Sequence, residues 1–276
     1  MDVTRSHAAR LPSLDERWTP HPFGRDELHA GLLAGGIAGP RVSHPMDNVR
    51  RNIHRLTEGD PDKTFGMTGL QTFTPGEVFE LVAKAAGFDP DPAWLEGPVP
   101  IDPDLVLDAC ESAGDRLAEA IRRGERVIVA TGHPVGLAHL YVEIGRLLRA
   151  GGVEVLEPFE GTWYPEPRDD GDRRQVRYLE GVAMTTDGES MRHTHSDRAM
   201  VRMLEEIRPD LVLADHGFAG AAIERGVETV SIADVNDPAL VVARAQGRTD
   251  VVIVMDDNVR PEDYWPCFQV VAARLT

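Results

Sequence analysis

Two hydrophobic patterns divide this chain. Up to residue 124 the apolar residues recur at helical spacing between Gly/Pro turns; from Arg126 onward they come in short unbroken runs, each followed by a polar loop and a helical stretch. In the first part Val106, Cys110, Ala113, Leu117 and Ile121 recur every three or four positions. That spacing predicts a helix with Asp102 as N-cap, Pro103 in its first position and Gly124 beyond its end. Thr74 and Glu77 have capping-box spacing and open a second helix, which carries Val78, Val82 and Ala86 and stops near Gly87.

The later runs are RVIVA (126–130), VEVLEPF (153–159), GVAMTT (181–186), LVLAD (211–215), TVSIAD (229–234) and VVIVMDD (251–257). Continuous apolar strands alternating with helices indicate a mostly parallel sheet covered on both faces. The fold expected is therefore α/β: a Rossmann-like α/β domain over residues 125–276 carrying the site, preceded by a helical N-terminal lobe over residues 1–124. The stretch EGTWYPEPRDDGDRR (160–174) reads as an exposed loop.

Composition narrows the partners. The formal charge is −17, with 46 acidic against 29 basic residues, and no basic run is present. Such a surface repels a phosphate backbone, so neither nucleic acid nor an anionic membrane is an expected partner. The acid excess also serves plain solubility. Of the basic residues 27 are Arg and two, Lys63 and Lys84, are Lys, a skew that reads first as codon composition. Two cysteines, Cys110 and Cys267, make neither a disulfide framework nor a thiolate zinc site, and MDVTRSHAARLPSLDERW lacks the apolar core of a signal peptide. A reduced, cytoplasmic protein is expected. The C-x5-R spacing from Cys110 to Arg116 lies in a helix pattern beside Glu111 and Asp115, which oppose thiolate formation.

In open parallel sheets, ligands bind beyond the carboxyl ends of the strands. Those ends carry His133, Asp187, Asp215 with His216, Asp234 with Asn236 and Asp237, and Asp256 with Asp257 and Asn258. Clustered carboxylates repel one another, and a divalent cation such as Mg²⁺ or Mn²⁺ relieves that repulsion. Asp215, His216, Asp234, Asn236 and Asp237 are the candidate ligands, although an Asp at a strand-to-helix junction is equally an N-cap. Gly132, Gly217 and Gly220 let backbone approach an anion at a helix start, or simply make tight turns. In Arg192-His193-Thr194-His195 the alternate histidines point the same way on an extended segment. His133, His193 and His195 are thus candidate catalytic groups, with Arg192 as a phosphate-binding fork. Asn48, Arg51, Asn52 and Arg55 share one helical face, suited either to an anionic or sugar-like ligand or to solvent. No G-x-G-x-x-G, G-x4-G-K-[ST] or G-x-S-x-G pattern occurs, which removes the usual support for dinucleotide enzymes, P-loop NTPases and α/β-hydrolases.

The segments ATGHPVGL, RHTHSD, LVLADHGFAGAAI and SIADVNDPAL, with the GDP turn at 59–61 and the IDPDLVLDA helix, resemble a family of actinobacterial proteins known simply as phosphatases. The resemblance runs from about His44 to Pro266 and implies hydrolysis of a phosphate ester, without itself bringing a mechanism. In architecture the chain also resembles metal-dependent damage-control phosphatases, from which no catalytic residue is carried over. The reading is a divalent-metal-dependent phosphomonoesterase acting on a small phosphorylated metabolite, with His133 or His193 protonating the leaving oxygen. Its rival is a non-catalytic sensor that binds a nucleotide or phosphorylated ligand at the same sheet edge.

Overall fold

The computed structural model describes residues 13–166 and 173–276. The N-terminal helices are α1 (Leu14–Arg17), α2 (Arg25–Gly35), α3 (Met46–Thr57), α4 (Pro61–Thr64), α5 (Pro75–Ala86) and α6 (Pro103–Arg123). Then follow β1 (Arg126–Ala130), α7 (Ala138–Ala150), β2 (Glu154–Val155), β3 (Trp163–Pro165), β4 (Arg173–Leu179), β5 (Val182–Thr186) and β6 (Met191–Arg192). The last elements are α8 (Arg198–Glu206), β7 (Leu211–Asp215), α9 (His216–Glu224), β8 (Glu228–Ala233), α10 (Ala239–Ala245), β9 (Val251–Val254) and α11 (Trp265–Leu275).

The helix boundaries follow local chemistry. Asp102 accepts the Asp104 amide at 2.9 Å and caps α6, and Gly124 ends it in the left-handed region. Thr74 and Glu77 close the expected capping box on α5. Each such cap is worth about 1 kcal/mol.

One open sheet of nine strands runs in the order β3-β4-β5-β1-β7-β8-β9, with β2 also beside β1 and β6 beside β5. The pairs from β5 through β1, β7 and β8 to β9 are parallel, whereas β3, β4, β5 and β6 pair antiparallel. The α/β class and the mostly parallel sheet are as the apolar runs imply. β5 and β7 are buried at every position, as strands covered on both faces must be. Helices α6, α7 and α11 pack together in one group and α8, α9 and α10 in another.

Part of the stretch expected as a loop is instead β3 and the start of β4, at the sheet's antiparallel edge; residues 167–172 lie outside the described residues. Its mixed sequence hides the strands because pairing of β3 with β4 and of β4 with β5, not burial of an apolar run, holds them. A single cluster of buried apolar side chains extends from Leu28 to Ala272, and α6 packs on β9 and α11. Among the described residues no helix is long and apolar enough to cross a membrane.

The functional consequence lies in the strand order. β1, first in the parallel set, has β5 on one flank and β7 on the other, so the direction of winding reverses between β1 and β7. Loops leaving the carboxyl ends of those two strands diverge there and leave a crevice.

Candidate active site

Thr131, Gly132 and His133 leave β1 at this crevice, and Asp215 and His216 leave β7 beside them. Asp215 is fully buried and both its oxygens are engaged. Oδ2 accepts the Thr131 hydroxyl at 2.5 Å, and Oδ1 accepts the Gly132 amide and the His216 Nδ1–H, each at 2.7 Å. His216 therefore turns Nε2 inward, 3.5 Å from Asp237 Oδ2 and 3.6 Å from Asp257 Oδ2. Its backbone is left-handed at φ 45°, a strained state for a residue with a Cβ that costs on the order of 1 kcal/mol.

The loop after β6 brings His193 and His195 to the same place. Ring centroids lie 4.8 Å apart for His195 and His216, 5.2 Å for His193 and His216, and 4.8 Å for His133 and His193. The three expected catalytic histidines thus surround His216. His195 Nδ1 donates to the Asp62 carbonyl at 3.0 Å and approaches its carboxylate at 3.1 Å, which leaves Nε2 with a free lone pair. His133 is the reverse tautomer: its Nδ1 accepts the Gly136 amide at 3.2 Å, so the neutral ring carries its proton on Nε2.

Five aspartates, 215, 234, 237, 256 and 257, are almost entirely buried around this point. Burial and the neighbouring Asp234 push the Asp257 carboxyl well above the usual carboxylate range. Burial likewise raises Asp234. Burial would raise Asp237 too, but the His216 hydrogen bond and the Lys63 charge hold it well below. His216 is raised against its own burial by Asp215 and Asp237. Partial burial and the other imidazoles push His193 down to about 3. Two buried acceptors, Asp257 Oδ2 and Asn236 Oδ1, have no hydrogen-bond partner among the described residues.

Several expected site residues do different work. Asp234 gives Oδ2 to His44 Nδ1 at 2.9 Å and Oδ1 to the Val235 amide at 2.5 Å, so both oxygens are occupied. His44 is raised to about 9: its burial opposes the charge, and the Asp234 hydrogen bond overcomes that. Asn236 is tied to the helical face of α3, its side-chain Nδ2 donating to Asn48 Oδ1 and its backbone carbonyl accepting from Asn52 Nδ2, both at 2.9 Å. Arg51 on that helix is 57% exposed and turned to Asp47. Arg192 is 47% exposed and bridged to Asp187 at 2.8 Å. A Cβ on Gly132 would meet the Thr194 carbonyl, one on Gly217 the Ser196 backbone, and one on Gly220 the Phe65 carbonyl, all within 2.3 Å. These glycines let neighbouring chain segments approach closely.

Local sequence pattern does not single out His44, Asp62 or Lys63, nor distinguish Asp257 from the other acids at the strand ends. Lys63 is 5% exposed, and its Nζ donates to Asp237 Oδ1 at 2.9 Å. His44, Asp62 and Lys63 come from residues 43–65, which wrap the carboxyl edge of the sheet and touch the loops after β6, β8 and β9. The turn GDPDK is the available signal: a charged pair beside a proline-started helix, directly after the polar helical face at 48–55 that the sequence offers to a ligand or to solvent.

Comparison with known proteins supplies the family. The family described as Phosphatase matches residues 23–276, a span that includes every group just named. A curated relative named Phosphatase SCO2771, from Streptomyces coelicolor, is 34% identical over 253 residues, covering 89% of this chain and 94% of that protein. A match of that extent, joining the N-terminal strap to the sheet edge it closes over, means that the chain belongs to the Phosphatase family.

Proposed function

We propose that this protein is a divalent-metal-dependent phosphomonoesterase for a small phosphorylated metabolite, its ion held by His216 Nε2, Asp237 Oδ2 and Asp257 Oδ2. The observation that carries the proposal is the unpartnered Asp257 oxygen facing an imidazole whose other nitrogen is fixed by an aspartate. An orphaned buried acceptor is costly, and a cation removes the cost. Histidine ligands characteristically donate their second nitrogen to a carboxylate, as His216 does to Asp215 and His195 to Asp62. One donor atom from each of His216, Asp237 and Asp257 lies within 4.8 Å of the others, and the same holds for His193, His195 and His216. The mixed oxygen and imidazole donors suit Mn²⁺, Fe²⁺ or Zn²⁺ as well as Mg²⁺.

The ion would polarise a phosphoryl oxygen and supply a water of lowered pKa. The chain's own groups would complete the reaction. His133, held neutral with its proton on Nε2, presents that N–H to the leaving oxygen as a hydrogen-bond donor that stabilises its developing charge, the leaving oxygen taking its proton from solvent. His193 has no hydrogen-bond partner on its ring among the described residues and can accept from the attacking water. Asp215 and Asp62 hold the imidazoles in one tautomer and orientation.

The test is a panel of phosphorylated metabolites assayed after chelation and after return of Mn²⁺, Mg²⁺ or Zn²⁺. Phosphate release should vanish on chelation and return with an ion. Release that persists undiminished in the chelated protein would remove the metal from the mechanism, and ligand binding without release would favour a sensor.

A further inference from the structure

We propose that Lys63 is the residue that binds the substrate's phosphoryl group; the inference rests on the metal-dependent phosphatase reading and deepens it. A phosphoryl group entering a site lined by buried aspartates needs fixed positive charge against its oxygens. The arginines expected to provide it are elsewhere, Arg192 on Asp187 and Arg51 at the surface. The faces of Gly217 and Gly220 are covered by backbone. His44 and His216 each have a nitrogen already bound to an aspartate. Lys63 remains.

Its geometry fits the role. The one-turn helix α4, capped by Asp60 at the Asp62 amide, delivers the side chain into the crevice. Nζ bonds Asp237 Oδ1 at 2.9 Å, on the carboxylate whose other oxygen faces His216. The next polar atoms are His195 Nδ1 at 3.5 Å, which donates to Asp62 and so cannot accept, and Asp62 Oδ2 at 3.8 Å, beyond hydrogen-bond reach. An ammonium has three N–H donors. Only one is well satisfied, at a position 5% exposed, and a phosphoryl oxygen beside Asp237 would take another.

Composition supports the same assignment independently. With 27 Arg to two Lys, this chain carries guanidinium at nearly every basic position. The exceptions are Lys84, which is exposed, and Lys63, which is buried at the candidate site. A compact ammonium with tetrahedral donors can serve Asp237 and a phosphoryl oxygen at once, whereas a planar guanidinium presents its donors in a rigid fork.

The same scarcity makes the test direct. Protein labelled with [¹³Cε]lysine gives two signals, assigned through the surface variant Lys84→Arg. Titrating Mg²⁺-loaded protein with inorganic phosphate should shift the Lys63 signal and leave Lys84 in place. Lys63→Met should weaken phosphate binding, and raise KM for p-nitrophenyl phosphate, by about 10- to 100-fold, the loss of one charge-assisted hydrogen bond. Its Mg²⁺ affinity should stay within about threefold, and Lys63→Arg should not restore phosphate binding. A Lys63 signal indifferent to bound phosphate, or a Lys63→Met protein binding phosphate as tightly as the parent, overturns the assignment while leaving the phosphatase reading intact. If Lys63→Met fails to fold, the titration of unaltered protein decides. Unaltered protein that neither binds phosphate nor turns over any phosphomonoester overturns both.

Discussion

Asp215 and His216, adjacent in the chain, are also hydrogen-bonded to each other, with Nδ1–H of the imidazole 2.7 Å from the carboxylate. The left-handed backbone at His216 makes this contact between neighbours possible and directs Nε2 at Asp237 and Asp257. Asp215→Asn should therefore reduce metal affinity by about 10- to 100-fold, the usual effect of losing a carboxylate behind a histidine ligand. Isothermal titration with Mn²⁺ measures it; unchanged affinity would mean that Asp215 only secures the Thr131 and Gly132 turn.

Asp257 should behave oppositely toward stability and activity. Its carboxylate is buried beside Asp234 with one oxygen unpaired, so in ion-free protein it opposes folding. Asp257→Asn should melt at the same temperature as the parent or higher in chelator, yet lose phosphate release and ion-induced stabilisation. Equal stabilisation of parent and variant by Mn²⁺ would exclude Asp257 from the ligand set.

Gly220 lies in α9 with its Cα against the Phe65 carbonyl, 2.1 Å from where a Cβ would stand. Gly220→Ala should lower stability by about 1–3 kcal/mol, as overpacking does. Gly145, inside α7, has nothing within 4 Å of an added Cβ, and Gly145→Ala should raise stability by about 0.5–1 kcal/mol. Urea unfolding of the two variants measures the contrast, and equal effects would contradict the packing described for α9.

Arg116 binds Glu228 through Nε at 2.5 Å and Glu125 through Nη2 at 2.8 Å, joining α6 to the start of β8. The Arg116 hydrogen bond lowers the Glu228 carboxyl below its ordinary 4.5. The unfolded chain then takes up that proton at higher pH than the folded one. The pair's contribution is fully present above about pH 4.5 and is lost as pH falls through the lower folded value. Because Glu228 is half exposed, solvent screening keeps the contribution under about 1 kcal/mol. Glu228→Gln should lower the urea midpoint at pH 7 and narrow its gap to the parent at pH 3.5. A gap independent of pH would show that the pair carries no net charge interaction.

What the sequence determined by itself follows from local rules. The apolar runs at 126–130 and 211–215 became β1 and β7 with no change of boundary, because buried parallel strands need unbroken apolar sequence. Asp102 and Gly124 marked both ends of α6 because caps act within one turn. The gathering of His133, Asp215, His216, Asp234, Asp237 and Asp257 was legible too, since the parallel strands β1, β7, β8 and β9 put their carboxyl ends on one edge, whereas His193 and His195 follow the antiparallel β6. Tertiary structure decided which of those groups face one another. Asp215 and Asp234 look alike in sequence, yet hydrogen bonds from Thr131, Gly132 and His44 occupy their oxygens and leave Asp257 unpaired. Lys63 and His44 reach the site through docking of residues 43–65, across separations of 174 and 190 positions from their partners, which no local pattern encodes. Side-chain periodicity records which face is buried, whereas pairing between distant segments depends on how the packed elements meet.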